Sequence, residues 1–474
     1  MTTASTTTSS RSTTRTDLAV LVILAVAVRI PAFTARTHLT FDDGVYGASA
    51  RAMRAGSQPF RDVFSSQGPL HLPLIFAADL LGGRSANAPR LAAVLAGVGL
   101  VIVTYLAGQL VTDRVGAILA AALVGFSGSV LWVTGPLSSD GVALFFASLT
   151  MLLVLRWRHH ITLRRALWLG LAVSATLSVK ALLAPVVVPV ALVLLAHRRV
   201  APILAAAGVA VGSHLLLWLP WGPERVWEQS YGYHLEATAA RTPLANLGKV
   251  LSTLLDRDLP LVLVVVAAVG GLVLARSRSS QPGEARLTSP DTLLLAWLGA
   301  TLAVLIAEQP LWRPHVSALI PALALLAARH RPPVPVLVAI LVVAVPIHVV
   351  HLWDLLHPEP YRGDTAEVVA LLADLPDGAL AISDDPGLVW RAGRATPPDL
   401  VDTSILRIEV GQITTASILA AASDPQVCAV AVRSTQRWGS FPGLPAGLAA
   451  LGYSVAQSDD RGRVLYIDED CEPG

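Results

Sequence analysis

Apolar runs near the length of a bilayer-spanning helix, about 20 residues, recur along most of the chain and are parted by short polar turns. Windows of about 19 residues place eleven of them, at 17–33, 89–110, 115–133, 140–156, 166–182, 184–197, 200–219, 259–275, 291–307, 314–330 and 333–353. The pattern predicts a polytopic α-helical membrane protein with about 11 transmembrane helices. A further run at 68–81 is short for a crossing and carries Pro69, Pro73 and Asp79, so it reads as a helix lying in the interface.

Arginine in the short turns sets the orientation. With the N terminus in the cytoplasm, the inner loops hold Arg114; Arg156, Arg158, Arg164 and Arg165; Arg198 and Arg199; Arg276, Arg278 and Arg286; and Arg329 and Arg331. Nearly every loop of that parity is basic, as positive charge on the inner side requires. Counting 68–81 as a crossing would send these arginines outside, so it is not counted.

Three larger hydrophilic regions then share the external side: 34–88, 220–258 and everything after about residue 354. The last carries short β-type runs at Ala379–Ser383, Val427–Val432, Tyr453–Ala456 and Val464–Ile467, parted by helical or turn-rich stretches. It predicts a small extracytoplasmic α/β domain at 354–474. Residues 1–16, rich in Ser and Thr with Arg11 and Arg15, read as a disordered cytoplasmic tail without a cleavage site. The first apolar run is therefore a retained span, and 17–353 forms the membrane domain.

Composition narrows the function. Hydrophobic residues make up 54% and charged residues 14%, with a net charge of +2 and a mean hydropathy of +0.61. No basic patch is interleaved with aromatics on the scale of a nucleic-acid groove, which excludes that partner. Both cysteines, Cys428 and Cys471, lie in the final polar region. They are too few for a metal set and are either a disulfide or two idle thiols; in an oxidising compartment they can pair.

Charge is scarce here, so its position carries information. Asp42 and Asp43, in Phe41-Asp42-Asp43-Gly44-Val45-Tyr46, stand about ten residues past the first span, close to the external interface. A partly dry carboxylate gains basicity and suits a general base that activates a hydroxyl, with a neighbour to tune it or to help hold a metal. Asp-Asp-Gly is also good turn chemistry, so a solvated turn competes with that reading. Asp140, after Ser138 and Ser139, opens a span on the same side, either as a site carboxylate or within a helix N-cap. Lys180 interrupts an apolar run near the external end of its span and wants an anion, unless it snorkels to headgroups. Arg313 and His315 follow in the loop Glu308-Gln309-Pro310-Leu311-Trp312-Arg313-Pro314-His315, where arginine suits a phosphate. Trp221, Trp227, Tyr231 and Tyr233 offer stacking surfaces for sugar or lipid, or an ordinary interfacial aromatic belt. No complete metal-ligand set is visible; no cofactor is called for, and a divalent cation is compatible with the acidic pair.

Together these residues resemble the membrane-embedded GT-C glycosyltransferases related to protein O-mannosyltransferases and to the aminoarabinose transferases of lipid A. The resemblance rests on Phe41-Asp42-Asp43-Gly44-Val45-Tyr46, Pro59-Phe60-Arg61-Asp62-Val63-Phe64, Gln67-Gly68-Pro69-Leu70, Arg90-Leu91, Asp140, Lys180, and Arg313 with His315, in that order across most of 17–353. The pair here is Asp-Asp where such enzymes usually carry Asp-Glu, and Gln67-Gly68-Pro69 stands where a lysine commonly precedes Pro-Pro.

The resemblance implies an inverting transfer of a sugar from a polyprenyl-phosphate donor to an acceptor hydroxyl on a lipid, glycan or protein, at the external face of the plasma (inner) membrane. It makes Asp42 the base, with Asp43 its neighbour and Asp140 assisting, while Lys180, Arg313 and His315 hold the donor phosphate. Two other readings compete. A secondary transporter or lipid flippase would place its ionisable residues near mid-membrane, and a non-catalytic scaffold would need no carboxylates facing cations.

Overall fold

The computed structural model describes residues 5–236, 242–276, 287–468 and 470–471. Arg278 and Arg286 of the predicted inner loops, and residues 237–241 of the second hydrophilic region, lie outside the described residues.

Each of the eleven apolar runs folds as a helix or as two helices in succession. Among the described residues, five helices are long and apolar enough to cross a membrane: Ala88–Val111, Ser139–Trp157, Val200–Trp221, Pro290–Ala307 and Val334–His351. A sixth results if Arg114–Gly125 and Gly128–Thr134, bent by 59° at their junction, count as one crossing. By length and apolarity the described residues do not reach the expected eleven: one run is bent into two helices, and others, such as Leu163–Val179 and Val187–Ala196, are shorter than 18 residues. Ser127 ends one helix and caps the next by accepting from Val130 N at 3.1 Å. At Lys180, helix Leu163–Val179 gives way to a 3-10 turn containing Pro185 before Val187–Ala196. At 115–133 a hydropathy window sees one run where the backbone makes two helices.

The first helix is Ser5–Ala27, so residues 5–16, expected as a disordered tail, continue the helix instead. The segment read as interfacial does form a short helix, His71–Leu81. Its buried Asp79 accepts from Arg54 Nε at 2.7 Å, which explains how a carboxylate is tolerated in an apolar run.

The arginine-rich turns gather at one end of the bundle. Arg114 reaches Asp17 at 2.6 Å, Arg331 reaches Asp113 at 2.6 Å, and Arg329 reaches Asp291 at 2.7 Å and also the Val111 carbonyl. Val111 ends helix Leu91–Val111, whereas Arg90, at its start, sits beside Asp43. At about 1.5 Å per residue this helix separates the arginine end from the acidic pair by about 30 Å.

The chain after 354 contains a four-stranded sheet of β1 (Leu380–Ser383), β2 (Val427–Val432), β3 (Tyr453–Ser458) and β4 (Val464–Asp468), ordered β1-β2-β4-β3. β1 and β2 are parallel, and β4 runs antiparallel to both β2 and β3. Every residue of β2 is buried, as its unbroken apolar run Val-Cys-Ala-Val-Ala-Val requires of a central strand. Cys428 in β2 is disulfide-bonded to Cys471, closing the C-terminal end onto the sheet.

This α/β unit docks on the acidic pair's own helix. Helix Pro386–Arg391, which follows β1, packs against Phe41–Arg54 so closely that a Cβ on Gly44 would stand 2.6 Å from the backbone of Gly387. A Cβ on Gly47 would enter the Trp390 ring. Around this contact, His38 Nε2 stands 3.2 Å from Asp385 Oδ1 and its Nδ1 meets the Tyr361 hydroxyl at 2.5 Å.

Candidate active site

Thr40 starts helix Phe41–Arg54 by accepting from Asp43 N at 3.1 Å, which puts both carboxylates in the first helical turn. Acidic side chains are favoured there by the free N–H groups and the helix dipole. Asp-Asp-Gly is thus a helix start rather than a solvated turn, and Gly44 serves the close approach to Gly387.

One helical step sends the two carboxylates into different surroundings. Asp43 is fully buried and accepts from Arg90 Nε, Leu137 N and Leu39 N, each at 3.0 Å, and from Arg90 Nη2. Arg90 also donates to the carbonyls of Ala32, Ala35 and Thr37, so the pair fastens the chain between the first helix and Phe41. Burial pushes the Asp43 carboxyl up, but the Arg90 charge and these hydrogen bonds outweigh it and hold it below its ordinary value.

Asp42 instead opens on a cavity of about 610 Å³. Among the described residues its carboxylate has no hydrogen bond or ion pair. Burial pushes it up to about 6 against the opposing charge of Lys180, while the charges of Asp140 and Asp402 push the same way as burial. Tyr46, one turn on, lines the same wall and packs edge-on against the buried His71 at 4.4 Å between ring centroids. Burial, with the charge of Asp42, pushes the Tyr46 phenol well above its ordinary value, so it remains a hydrogen-bond donor at neutral pH.

A chain of charged groups forms the facing wall. Ser138 caps helix Ser139–Trp157 by accepting from Asp140 N at 3.2 Å. Lys180, set in extended backbone where helix Leu163–Val179 stops, donates to Asp140 Oδ2 at 2.8 Å and to His315 Nε2 at 3.1 Å. An ammonium is donor only, so His315 Nε2 must be the acceptor and the ring proton belongs on Nδ1. There Glu308 Oε1 stands 2.6 Å away. Asp140, Lys180, His315 and Glu308 all line the cavity.

Of the residues singled out in the sequence, Asp42, Asp140, Lys180 and His315 therefore come together, while Asp43 and Arg313 do not join them. Arg313 lies 3.6 Å from Asp256, with both side chains about half exposed, and it is absent from the cavity wall. Arg313–Leu319 is a 3-10 helix, in which each residue turns about 120°; positions two apart face different ways, and His315 takes the inward one. Trp227, Tyr231 and Tyr233 line the cavity and Trp221 does not. Trp218, Tyr231 and Trp227 form a continuous stack, with centroids 5.6 and 5.8 Å apart.

Several lining residues escaped the sequence reading. Tyr46 lies within the quoted acidic motif, and Glu308 sits seven positions before His315 in the quoted loop, so both had a local signal. Asp402 and Arg437 come from the α/β unit and had none: only the docking of that unit brings them to Asp42. Among the described residues, no group of three or more His, Cys, Asp or Glu is arranged to hold a metal ion.

A bundle of apolar helices, an acidic first loop and a C-terminal α/β unit thus share one cavity. Residues 65–211 match the family of dolichyl-phosphate-mannose-protein mannosyltransferases. Among solved structures, ArnT from Cupriavidus metallidurans bound to undecaprenyl phosphate is similar with a TM-score of 0.65 at 15% identity, covering 96% of this chain and 98% of that one. The Archaeoglobus fulgidus oligosaccharyltransferase tethered with an acceptor peptide is similar with a TM-score of 0.57 at 12% identity, covering 96% of this chain and 74% of that one. No curated protein sequence matches the chain. The fold is thus similar to that of these two solved structures over nearly the whole chain, and residues 65–211 match the mannosyltransferase family.

Proposed function

We propose that the protein moves a sugar from a polyprenyl-phosphate carrier to an acceptor hydroxyl, with inversion, at the extracytoplasmic face of the membrane. The observation that carries this reading is one cavity holding a carboxylate with no ion pair among the described residues, Asp42, and facing it an ammonium, Lys180, oriented by Asp140 and His315. Asp42 takes the proton of the acceptor hydroxyl as its oxygen bonds to the anomeric carbon. The bond from that carbon to the phosphate oxygen breaks with its electron pair, and the carrier leaves as the phosphate. Lys180, held in orientation by His315, stabilises the negative charge that develops there, and a phosphate leaving group needs no general acid. Asp140 holds Lys180 in place, and Asp43, through Arg90, fixes the helix turn that aims Asp42. Arg313, 3.6 Å from Asp256 and outside the cavity wall, is given no role in this reaction.

Side assignment rests on two features. The arginine-rich turns gather at the end of the bundle away from the cavity, as positive charge on the cytoplasmic side requires, and the α/β unit carries a disulfide, which suits an oxidising compartment.

The decisive experiment compares the wild type with Asp42→Asn in nanodiscs. Loss of a positioned general base lowers turnover by about 10²–10⁴-fold, while affinity for undecaprenyl phosphate stays unchanged. Wild-type turnover in Asp42→Asn would sink the mechanism.

A further inference from the structure

One wall of the cavity belongs to the α/β unit and carries the carboxylate of Asp402. Asp402 is 3% exposed and lines the cavity. Its Oδ1 accepts from Ser404 N at 3.0 Å, and among the described residues Oδ2 makes no hydrogen bond and the carboxylate makes no ion pair. The loop that bears it is fixed from several sides. Arg407 Nη1 donates to the carbonyls of Asp399 and Asp402, each at 2.7 Å, and Thr403 Oγ1 donates to the Ser383 carbonyl at the end of β1. Arg407 also lies over the Phe64 ring at 3.8 Å, joining this loop to the first hydrophilic region. A buried carboxylate held rigidly with one oxygen free is a costly arrangement unless a ligand completes it.

The neighbouring wall states what kind of ligand. Trp227, the half-exposed outer ring of the Trp218–Tyr231–Trp227 stack, and Tyr233 line the same cavity. An exposed indole in the same cavity as a free carboxylate suits a pyranose: its C–H face lies on Trp227, and adjacent hydroxyls donate to the carboxylate oxygen. An anion is repelled from Asp402, which points it away from the carrier phosphate and toward the acceptor that meets Asp42.

Resting on the transfer reaction proposed above, we infer that Asp402 is a specificity residue that selects a sugar-bearing acceptor, accepting a hydrogen bond from a hydroxyl next to the one that reacts. The α/β unit is then part of the acceptor site, and the acceptor is a glycan or glycolipid rather than an isolated serine, threonine or simple lipid alcohol.

The test is binding of octyl mannoside and of 1-octanol to the full chain in nanodiscs, read by quenching of tryptophan fluorescence. Wild type should prefer the mannoside, and Asp402→Asn should cut that preference about tenfold, as for one lost charge-assisted hydrogen bond. Asn retains an acceptor for Ser404 N, so the loop keeps its cap. Asp402→Glu, which restores the charge, should recover part of the preference. An unchanged preference in Asp402→Asn, or none in the wild type, overturns the inference. To separate acceptor from donor sugar, Asp42→Asn is preloaded with polyprenyl-phosphate mannose: octyl mannoside should still bind, and competition would assign Asp402 to the donor and overturn the claim. Transfer by Asp42→Asn would overturn the reaction itself, whereas lost transfer there with an unaltered preference in Asp402→Asn overturns only the present inference.

Discussion

Lys180 donates to Asp140 across 2.8 Å, joining the break after helix Leu163–Val179 to the head of helix Ser139–Trp157. Two features that look like defects in the sequence, a lysine inside an apolar run and an acid at the start of another, are thus one interaction. Neither charge would be tolerated alone in that position. A phosphate arriving at the cavity meets an ammonium already oriented, with His315 3.1 Å from its nitrogen.

Replacing Lys180 by Gln should therefore raise the Kd for undecaprenyl phosphate by about 10–100-fold, the range for losing a hydrogen bond to a charged group. Arg313→Ala should change that Kd less than about twofold, because its guanidinium faces Asp256 outside the cavity. Isothermal titration of both variants in nanodiscs distinguishes them; equal losses would contradict the division between the two cations.

The pH dependence follows from Asp42. Its carboxyl, pushed up to about 6 mainly by burial, must be ionised to accept a proton, so kcat/KM should fall as pH drops through about 6, approaching tenfold per unit below it. Because the charge of Asp402 contributes to the upward push, Asp402→Asn should move this limb to lower pH. A profile flat between pH 5 and 7, within the range about 6 marks out, would remove Asp42 from the rate-limiting proton transfer.

Breaking the Asp43–Arg90 pair should damage the fold rather than the chemistry. Both side chains are fully buried, and removing one partner strands the other, at a cost of about 3–5 kcal/mol. Arg90→Met should lower the midpoint of thermal unfolding in detergent markedly. Asp43 is held below its ordinary value in the folded protein, so its contribution is present above the unfolded carboxylate range and disappears as pH falls through the folded value. Wild-type stability of Arg90→Met at neutral pH would refute this.

Gly44→Val should loosen the α/β unit from the membrane bundle. Its Cβ would stand 2.6 Å from Gly387 Cα and N, both backbone atoms that cannot rotate away. Faster proteolysis after residue 354, together with reduced turnover, is the expected outcome; an unaltered digestion pattern would mean that the contact is not needed for docking.

Much of this protein is legible along the chain because the bilayer imposes a one-dimensional rule. A segment of about 20 apolar residues must satisfy its own backbone as helix, so all eleven apolar runs were found as helices, and His71–Leu81 was read as a short one. Period and composition also gave the four strands, since β2 is apolar throughout and each run is bounded by turn residues. Asp42, Asp140, Lys180 and His315 stood out because an ionisable group in an apolar setting is expensive and needs a partner.

What the sequence could not decide was direction. Asp42 and Asp43 are neighbours of identical chemistry, and only the turn of the helix sends one to the cavity and the other to Arg90. His315 and Arg313 are two apart, and the 3-10 geometry alone turns one inward. Breaks at Ser127 and Lys180, which divide apolar runs into shorter helices, depend on capping and packing that hydropathy does not register. Asp402 and Arg437 lie hundreds of residues from Asp42, and their arrival depends on the close contact of Gly44 with Gly387. Solvent cost determined, position by position, which residues needed an explanation; the tertiary fold determined which of them face each other, because facing is a property of three-dimensional packing and not of order along the chain.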